Sequence, residues 1–172
     1  MKIGLISDTH DNIKNIEAAV KIFSDRKLGF VIHAGDITTP DAVESFSGVR
    51  LIGVTGNNDL DVQGLDDAFQ KIDGDLRGDF CEIEQDNLVI AVYHGTDSKR
   101  RDSIIYSGKY DLVVYGHTHR TEDNEVAVAL DGGGTKTTIV INPGTANGWF
   151  FGYNATAAIF DTLTRGRELI QL

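Results

Sequence analysis

Five short apolar runs in this chain each end directly in polar residues of the types that bind metal ions. The runs have the length of buried strands, and in the N-terminal half they alternate with apolar residues at helical spacing. In an open α/β sheet the carboxyl ends of the strands share one edge, where such folds build their sites. We therefore expect the polar residues to meet in space. They are Asp8-Thr9-His10, Gly35-Asp36, Gly56-Asn57-Asn58-Asp59, His94-Gly95 and Gly116-His117-Thr118-His119.

The donor atoms of these motifs indicate the kind of metal site. Together they offer two aspartates, one or two asparagines and four of the five histidines, without a thiolate. Carboxylate and amide oxygens combined with imidazole nitrogens suit divalent manganese, iron, cobalt, nickel or zinc. About seven candidate ligands are too many for one ion that keeps a position open for substrate. We therefore predict a site for two divalent metal ions that share one carboxylate.

Taken one at a time, the motifs have ordinary structural explanations. Asp8-Thr9-His10 is typical of a strand-end turn with a helix cap, and Gly35-Asp36 is typical of a turn. The strongest single signal is the pair His117 and His119, because two histidines at this spacing in an extended loop can reach neighbouring ions. Five such motifs, each after a predicted strand, favour a metal site over a series of unrelated turns.

The hydrophobic pattern predicts an α/β domain whose first half is β-α-β and whose second half is rich in strands. Thr39 can cap a helix in which Pro40 takes the first position, and a weaker helical pattern covers Leu65 to Ile72. Composition marks no domain boundary, so we expect one domain over residues 1–172. The predicted strands are Lys2 to Ser7, Phe30 to Ala34, Leu51 to Thr55, Phe80 to Glu84, Leu88 to Tyr93, Asp111 to Tyr115, Val126 to Leu130, Thr137 to Ile141, Ala155 to Phe160 and Glu168 to Leu172.

The order of the five motifs resembles that of the calcineurin-like metallophosphoesterases. The short chain, the opening Met1-Lys2-Ile3-Gly4 and the segment Asn142-Pro143-Gly144-Thr145 are similar to the YfcE-type phosphodiesterases of archaea and bacteria. The resemblance covers residues 1 to about 160. It implies a four-layer α/β/β/α sandwich with mixed sheets, and a metal-dependent phosphoric ester hydrolase that cleaves small phosphodiesters by attack of a metal-bridging hydroxide.

The resemblance also implies a role for each matching residue. In the family's arrangement one metal ion is bound by Asp8, His10 and His119. The other is bound by Asn57, His94 and His117. Asp36 bridges the two ions, and the matching catalytic positions are Asp36, Asn57 and His94, which act through the metals. Manganese is the first expectation for both ions, with nickel, cobalt, iron and zinc as alternatives.

Two positions depart from the family's usual pattern. In many family members a histidine that can protonate the leaving group follows the metal-binding asparagine. Here Asn58 takes that position and Asp59 follows it. Losing a general acid costs roughly 10²–10⁴-fold in rate, and acidic leaving groups suffer least. Thr96 stands where relatives often have a second histidine. A phosphomonoesterase or nuclease with the same site, or a catalytically weak protein-binding scaffold of the same fold, remain alternatives.

The charge balance limits the partners. Asp and Glu number 26 against 16 Lys and Arg, which gives a formal net charge of −10 with His neutral. Duplex nucleic acid and anionic membranes bind basic surfaces, so we expect neither as a partner. A small phosphate ester remains compatible, because two divalent ions and two aspartates would give the centre a net charge of −2 + 4 = +2. Distant surface carboxylates are largely screened.

The sequence favours a cytoplasmic location. The single cysteine, Cys81, permits no intramolecular disulfide and fits a reducing compartment. The apolar run Leu88 to Tyr93 has only six residues, and crossing a bilayer takes about 20. The apolar stretch after Met1 is too brief for a signal peptide. We therefore predict a cytoplasmic protein without a membrane segment.

Several other side chains have two interpretations each. Arg120 directly follows the histidine pair and either binds a substrate phosphate or is a solvated loop residue. Arg100 and Arg101 are first interpreted as surface charges, with substrate contact as the alternative. His33 lies inside an apolar strand and is predicted to be a packed core residue. Residues 149–153, Trp-Phe-Phe-Gly-Tyr, are either core or a self-association surface of a homo-oligomer, a dimer or tetramer.

Overall fold

Two mixed β-sheets packed face to face form the centre of the molecule. A computed structural model describes residues 1–148 and 152–172. The helices are α1 (Ile13–Asp25), α2 (Pro40–Glu44), α3 (Val62–Lys71) and α4 (Ser98–Ile105). The strands are β1 (Lys2–Ile6), β2 (Val31–His33), β3 (Leu51–Gly53), β4 (Asp75–Leu76), β5 (Phe80–Gln85), β6 (Leu88–Tyr93), β7 (Leu112–Val114), β8 (Thr121–Ala129), β9 (Thr135–Pro143), β10 (Thr156–Asp161) and β11 (Arg167–Gln171).

Strand order and direction bring the predicted site motifs to one edge. The first sheet has the order β11-β10-β1-β2-β3-β4, and the second has the order β5-β6-β7-β9-β8. Neighbours among β1 to β4 pair in parallel, as do β6 with β7 and β7 with β9, whereas β5, β8, β10 and β11 pair antiparallel with their neighbours. The carboxyl ends of parallel neighbours therefore lie side by side in both sheets.

Three apolar clusters fill the spaces between layers. Ile3 and Leu5 of β1 face the second sheet in the central cluster. Ile6 points the other way, toward α1, where Phe23 is buried, as expected when successive side chains alternate across a strand. A smaller cluster lies under α4 around Ile105. Helices thus cover the outer face of each sheet, and the predicted four-layer α/β/β/α sandwich is confirmed.

The predicted helix start at Thr39 is confirmed. Its hydroxyl accepts a hydrogen bond from the backbone N–H of Ala42 at 3.4 Å, and Pro40 is the first residue of α2. Asn12 caps α1 in the same way, by accepting from the N–H of Asn15 at 3.2 Å. The cap satisfies a donor that the first helical turn would otherwise leave unpaired.

Two strands differ from the sequence prediction. The two-residue strand β4 was not predicted, and β8 begins at Thr121 rather than Val126. The first half of β8 is polar and exposed on most positions because it is an edge strand, held by backbone pairing to β9. A hydrophobic pattern cannot predict a strand segment that buries so few apolar side chains. In addition, α3 begins at Val62, ahead of the predicted Leu65.

Two further findings concern predictions made from composition. Among the described helices, none has the length and hydropathy needed to cross a bilayer. The aromatic run predicted as core or self-association surface falls largely on residues 149–151, which lie outside the described residues. The single domain over residues 1–172 stays a prediction.

Candidate metal centre

The carboxyl ends of β1 and β7 bring together one group of potential metal ligands. The Oδ1 atom of Asp8 lies 3.2 Å from Nε2 of His119, and the Nε2 atoms of His10 and His119 are 3.4 Å apart. The ligand atoms of these three residues all lie within 4.8 Å of one another. This trio is the one that the family resemblance implies for the first metal ion.

A second group lies directly beside the first. Asp8, Asp36 and His94 also offer ligand atoms within 4.8 Å of one another, and all three side chains are buried. The Nε2 atom of His94 is 3.3 Å from Oδ2 of Asp36 and 4.0 Å from Oδ1 of Asp8. Because Asp36 Oδ2 is also 3.7 Å from His10 Nε2, this carboxylate lies between the two groups, as a bridging ligand would.

The remaining predicted ligands line the same cavity. A cavity of about 370 Å³ opens over the centre, and Asn57 and His117 are in its wall. The ring centroids of His117 and His94 are 5.2 Å apart. Beyond the predicted ligands, Asn58 and Asn147 complete the lining. Five of the seven predicted ligands therefore line this cavity, and the buried Asp8 and His94 have ligand atoms within 4.8 Å of that of Asp36.

The backbone at five of the predicted ligands is unusual. Asp8, His10, Asp36, His117 and His119 have φ values of 53°, 40°, 60°, 65° and 60°. L-residues other than asparagine and aspartate rarely adopt this left-handed region, and such strain persists only where the surroundings enforce it. The enforcement is visible in hydrogen bonds between loops, because the N–H of Asp8 donates to the carbonyl of Gly35 at 3.0 Å, and that of His10 donates to Asp36 at 3.1 Å.

Two glycines allow the loops to approach the carboxylates. A Cβ atom added to Gly116 would lie 1.8 Å from the Ser7 hydroxyl oxygen and 2.7 Å from Oδ2 of Asp8. A Cβ atom on Gly56 would lie 2.2 Å from Oδ1 of Asp36. Only glycine permits backbone this close to another group, so each glycine fixes the distance between a loop and the carboxylate of Asp8 or Asp36.

The His94 ring supplies a test of whether the cluster fits a cation. Its Nδ1 atom lies 2.7 Å from the carbonyl oxygen of Ala34, to which it donates. That hydrogen bond orients the ring as bonds of this kind orient metal-binding histidines. The Nε2 atom is buried, has no hydrogen-bond partner of good geometry among the described residues, and points between Asp8 and Asp36.

The electrostatics of the centre favour positive charge at this place. Burial lowers the pKa of His94, but the carboxylates of Asp36 and Asp8 raise it by more, so the net shift is upward. Burial raises the pKa of Asp36, whereas the His94 ring and the hydrogen bonds from Asn58 lower it. The resulting pKa is well below the ordinary value of an aspartate. A divalent cation among these atoms would neutralise the Asp8 and Asp36 carboxylates and would take the place of a proton on His94 Nε2. The donor set of carboxylates and imidazoles suits such a cation.

Asn58 and Asp59 both hold Asp36 in place. The backbone N–H of Asn58 donates to Oδ1 of Asp36 at 2.8 Å, and its side-chain Nδ2 donates to Oδ2 at 2.7 Å. The Asp59 carboxylate accepts from the backbone N–H of Asp36 at 2.9 Å, of Gly56 at 2.7 Å and of Thr38 at 2.8 Å. Asn58 is therefore engaged with Asp36 rather than free to assist a leaving group.

Several residues that could not be identified from the sequence support Asp8 and the loop beside it. The Ser7 hydroxyl donates to Oδ2 of Asp8, and the backbone N–H of His117 donates to the same oxygen at 3.0 Å. The hydroxyl of Thr145 donates to the Asp8 carbonyl at 2.9 Å, and Asn142 donates to the carbonyl of Gly116 at 2.9 Å. Asn142 and Thr145 belong to the segment Asn142 to Thr145, which begins in the last two residues of β9 and continues into the loop after it.

Comparison with known proteins agrees with this geometry. Residues 1–165 match the family described as the calcineurin-like phosphoesterase superfamily domain. The chain belongs to this superfamily. Phosphodiesterase MJ0936 of Methanocaldococcus jannaschii is 36% identical over 165 residues, which are 94% of this chain and 93% of that protein.

Solved structures of other phosphoesterases share the fold. A structure described as that of a novel archaeal phosphodiesterase has a TM-score of 0.83 and 34% identity, and the match covers 100% of both chains. The structure of YfcE, a phosphoesterase from E. coli, has a TM-score of 0.69 and 16% identity, with 99% of this chain and 98% of that chain covered. For a calcineurin-like phosphoesterase, the clustered carboxylates and imidazoles imply divalent metal ions.

The prediction that His33 of this phosphoesterase is a packed core residue is confirmed, and Cys81 is buried as well. His33 is 1% exposed, and burial lowers its pKa to about 3. Its Nε2 atom is 3.0 Å from the Thr9 hydroxyl, and its ring meets Phe46 edge-on. Cys81 is buried in β5, and burial raises the pKa of its thiol to about 11. Neither residue is part of the metal-binding cluster.

The three arginines differ in their surroundings. Arg100 pairs with Asp79 on the surface, as the first interpretation expected. Arg101 pairs with Asp102 but stacks on the Tyr115 ring, with 5.3 Å from its guanidinium carbon to the ring centroid. It also lines a groove beside His117 and His119, so both interpretations of Arg101 stay predictions. Arg120 lines the same groove.

Proposed function

We propose that this calcineurin-like phosphoesterase is a phosphodiesterase that hydrolyses small phosphodiesters with two divalent metal ions. The proposal rests on the close approach of three buried side chains, Asp8, Asp36 and His94. In the described part of the chain, neither carboxylate is paired with a Lys or Arg side chain. Buried charges of one sign are costly unless a counter-charge joins them. The relationship to phosphodiesterase MJ0936 supports the choice of reaction.

The proposed ligand sets follow the family's arrangement. Asp8, His10 and His119 would hold one ion, and Asn57, His94 and His117 would hold the other, with Asp36 between them. When bound, such ions make water a nucleophile near neutral pH and neutralise charge on the phosphoryl oxygens. Manganese is the proposed metal, and nickel, cobalt, iron and zinc suit the same donors.

The protein's own residues hold the ligands in fixed orientations. The carbonyl of Ala34 fixes the His94 ring, and Ser7 fixes the Asp8 carboxylate. The two hydrogen bonds from Asn58 fix Asp36. Partners of this kind typically contribute roughly 10–100-fold in metal affinity or activity. Arg120, next to His119 in sequence, is the proposed contact to a substrate phosphoryl oxygen.

The amide of Asn58 supports a preference for esters with acidic leaving groups. An amide has no acidic proton to give, and this one already donates to Asp36 Oδ2. Without a positioned acid, the leaving alcohol departs as an anion, which is easiest when that alcohol is itself acidic. A phosphodiester with an aryl leaving group is therefore the proposed model substrate.

A metal and substrate panel tests the function. Purified protein is stripped of metal, supplied with Mn, Ni, Co, Zn or Mg in turn, and assayed with bis(p-nitrophenyl) phosphate. Asp36→Asn and His117→Ala should each abolish manganese-dependent hydrolysis, a loss beyond the roughly 10–100-fold caused by residues that only orient a ligand. Glu84→Gln, on the exposed face of β5, is the control and should match the wild type. Full activity in both site variants would overturn the proposal.

The same experiments separate the alternatives. Faster hydrolysis of p-nitrophenyl phosphate than of the diester would favour a phosphomonoesterase, and cleavage of single-stranded DNA would favour a nuclease. A protein that neither retains nor takes up metal would favour a scaffold. The acidic net charge supports the exclusion of duplex nucleic acid. The cytoplasmic location and the homo-oligomer, dimer or tetramer, stay predictions.

A further inference from the structure

A wide groove adjoins the metal centre on the side of the second sheet. It has a volume of about 730 Å³, within the range typical of sites for small organic ligands. His117 and His119 line both this groove and the smaller cavity over the centre. The groove therefore adjoins the cavity at these two histidines, and a group attached to a phosphoryl bound at the metals would lie next to it.

The groove contains a cationic side chain with free donors. Arg120 has no carboxylate partner within the described residues, and its Nε donates to the Tyr153 hydroxyl at 2.8 Å. A guanidinium has five N–H donors, so four remain for a ligand. In a chain with 26 acidic and 16 basic residues, an arginine held by a tyrosine beside a metal centre is suited to bind an anionic oxygen of the substrate.

The groove also contains a carboxylate with free acceptors. Glu122 accepts hydrogen bonds from the Tyr115 hydroxyl and, at 2.9 Å, from Asn124 Nδ2. Within the described ranges 1–148 and 152–172 its carboxylate forms no close ion pair with Lys or Arg, although the charge of Arg101, which lines the same groove, acts on it. A carboxylate offers about four lone-pair sites, so about two remain for a ligand. Glu122 and Asn124 are two residues apart in β8, and their side chains therefore point to the same face.

Arg120 and Glu122 bind different kinds of chemical group. The four free N–H groups of Arg120 bind oxygens, such as those of the phosphoryl, whereas Glu122 binds hydroxyl or amino donors. A diester has two alcohols, and the groove is large enough for one the size of a nucleoside. Resting on the proposed phosphodiesterase function, we propose that this groove binds the second alcohol of the diester and selects alcohols that carry hydrogen-bond donors of their own, as a nucleoside does.

The test compares esters that share one leaving group. The p-nitrophenyl esters of thymidine 5′-phosphate, methyl phosphate and choline phosphate all release p-nitrophenol, so the acidity of the leaving group is constant. We expect kcat/KM to be highest for the thymidine ester, mainly through a lower KM. A preference for the choline ester, which has positive charge and no donor, would overturn the proposal. Equal values for all three would also overturn it.

Two variants locate the preference in the groove. Glu122→Gln should reduce the ratio of thymidine to methyl ester kcat/KM roughly tenfold, the effect of one hydrogen bond to a charged group. Asn124→Trp should reduce that ratio by filling the groove. The matched controls are Glu84→Gln and Thr137→Trp, both at exposed strand positions away from the groove, and they should keep the wild-type ratio. A wild-type ratio in both groove variants would contradict the proposal.

A binding measurement keeps this proposal separate from the proposed reaction. If no ester is hydrolysed with any metal, the phosphodiesterase function fails, but the groove can still be examined. Titration of the ¹⁵N-labelled protein with thymidine 5′-phosphate should shift the amide resonances of Thr121 to Asn124, and Glu122→Gln should weaken that binding. Shifts confined to other parts of the chain, or none, would show that the groove does not bind such an alcohol.

Discussion

Asp59 is a buried carboxylate that serves two loops of the site at once. It is 5% exposed and accepts the backbone N–H groups of Asp36, Gly56 and Thr38. Burial raises its pKa, and these hydrogen bonds oppose that shift only in part. In the family's usual pattern this position follows a histidine, but here it follows Asn58, and its hydrogen bonds hold the backbone that carries Asp36.

We predict that Asp59→Asn weakens metal binding without unfolding the protein. An amide oxygen has no charge and fewer lone pairs than a carboxylate, so at least one of the three N–H groups loses its acceptor. The affinity for Mn²⁺, measured by titration calorimetry on metal-stripped protein, should fall roughly tenfold, as it does when ligand-orienting partners are lost.

The control for this change is Asp67→Asn, an exposed residue of α3 whose carboxylate accepts from Gln63. It should bind Mn²⁺ as the wild type does. If Asp59→Asn also retained wild-type affinity while losing thermal stability, Asp59 would serve the fold and not the metal centre.

Residue types alone identified the candidate ligands but not their supports. Asp8, Asp36 and His94 could be named because metal chemistry accepts few donor types and each follows a strand. Ser7 and Thr145 could not, because any polar side chain in the right place can donate to a carboxylate or a carbonyl. Their function depends on distances across the fold, which are absent from a single sequence.

At the scale of elements, the loop after β7 is positioned by its contact with the loop after β1. Gly116 lies against Ser7 and Asp8 so closely that a Cβ atom would overlap the Ser7 hydroxyl. The N–H of His117, the next residue, then donates to the Asp8 carboxylate. The glycine therefore sets the separation between His117 and Asp8, which lie in loops that follow strands of different sheets.

We predict that Gly116→Ala damages both stability and metal binding. The added methyl group must displace Ser7 or Asp8, and overpacking of this kind typically costs about 1–3 kcal/mol. The midpoint of thermal unfolding should fall, and Mn²⁺ affinity should fall with it. The double variant Gly116→Ala with Ser7→Ala should recover only part of the lost stability and Mn²⁺ affinity, because Asp8 Oδ2 would still lie 2.7 Å from the new Cβ.

The matched control for Gly116 is Gly132→Ala in the β8–β9 turn, where a Cβ atom would meet no other atom within 4 Å. Its unfolding midpoint and metal affinity should equal those of the wild type. Wild-type behaviour of Gly116→Ala itself would show that the two loops can separate without cost.

Elements that bury an apolar face were predicted well, and those that do not were missed. The strands around β1, β2 and β6 follow apolar runs, and their order in the sheets agrees with the predicted shared edge. Strand β4 has two residues held by parallel pairing to β3, and no sequence pattern is that short. The assignment of strands to two packed sheets rests on the family resemblance. Hydrophobic periodicity shows which face of a strand is buried, but it does not show which element packs against that face.

At the scale of the whole molecule, the basic side chains are dispersed and mostly paired with acids. Arg26 pairs with Glu168 and Lys71 pairs with Glu44 on the surface. Such exposed pairs add little stability, but they leave no continuous basic track in the part of the chain that the structure describes. Arg120 stands apart because a tyrosine holds it. The arrangement favours a small anionic ligand at one place over a long polyanion.

The acidic charge is costly only where carboxylates are buried together. Ligand oxygens of Asp8 and Asp36 lie within 4.8 Å of each other, and two unit charges at that distance repel by about 3 kcal/mol at an effective dielectric near 20. The histidines offset this repulsion only while they carry a proton. A divalent cation bound there would offset it independently of a proton, so metal loading should stabilise the whole fold.

We therefore predict that Mn²⁺ raises the unfolding temperature of metal-stripped protein. At 100 times the dissociation constant, a ligand that binds only the folded state stabilises it by about 2.7 kcal/mol, which for a chain of this length corresponds to a rise of roughly 5–10 °C. Chelation should reverse the rise. Mn²⁺ should raise the unfolding temperature of Asp36→Asn only slightly, whereas it should raise that of Glu84→Gln as much as that of the wild type. A full rise in Asp36→Asn would mean that Mn²⁺ stabilises the protein from somewhere other than this centre.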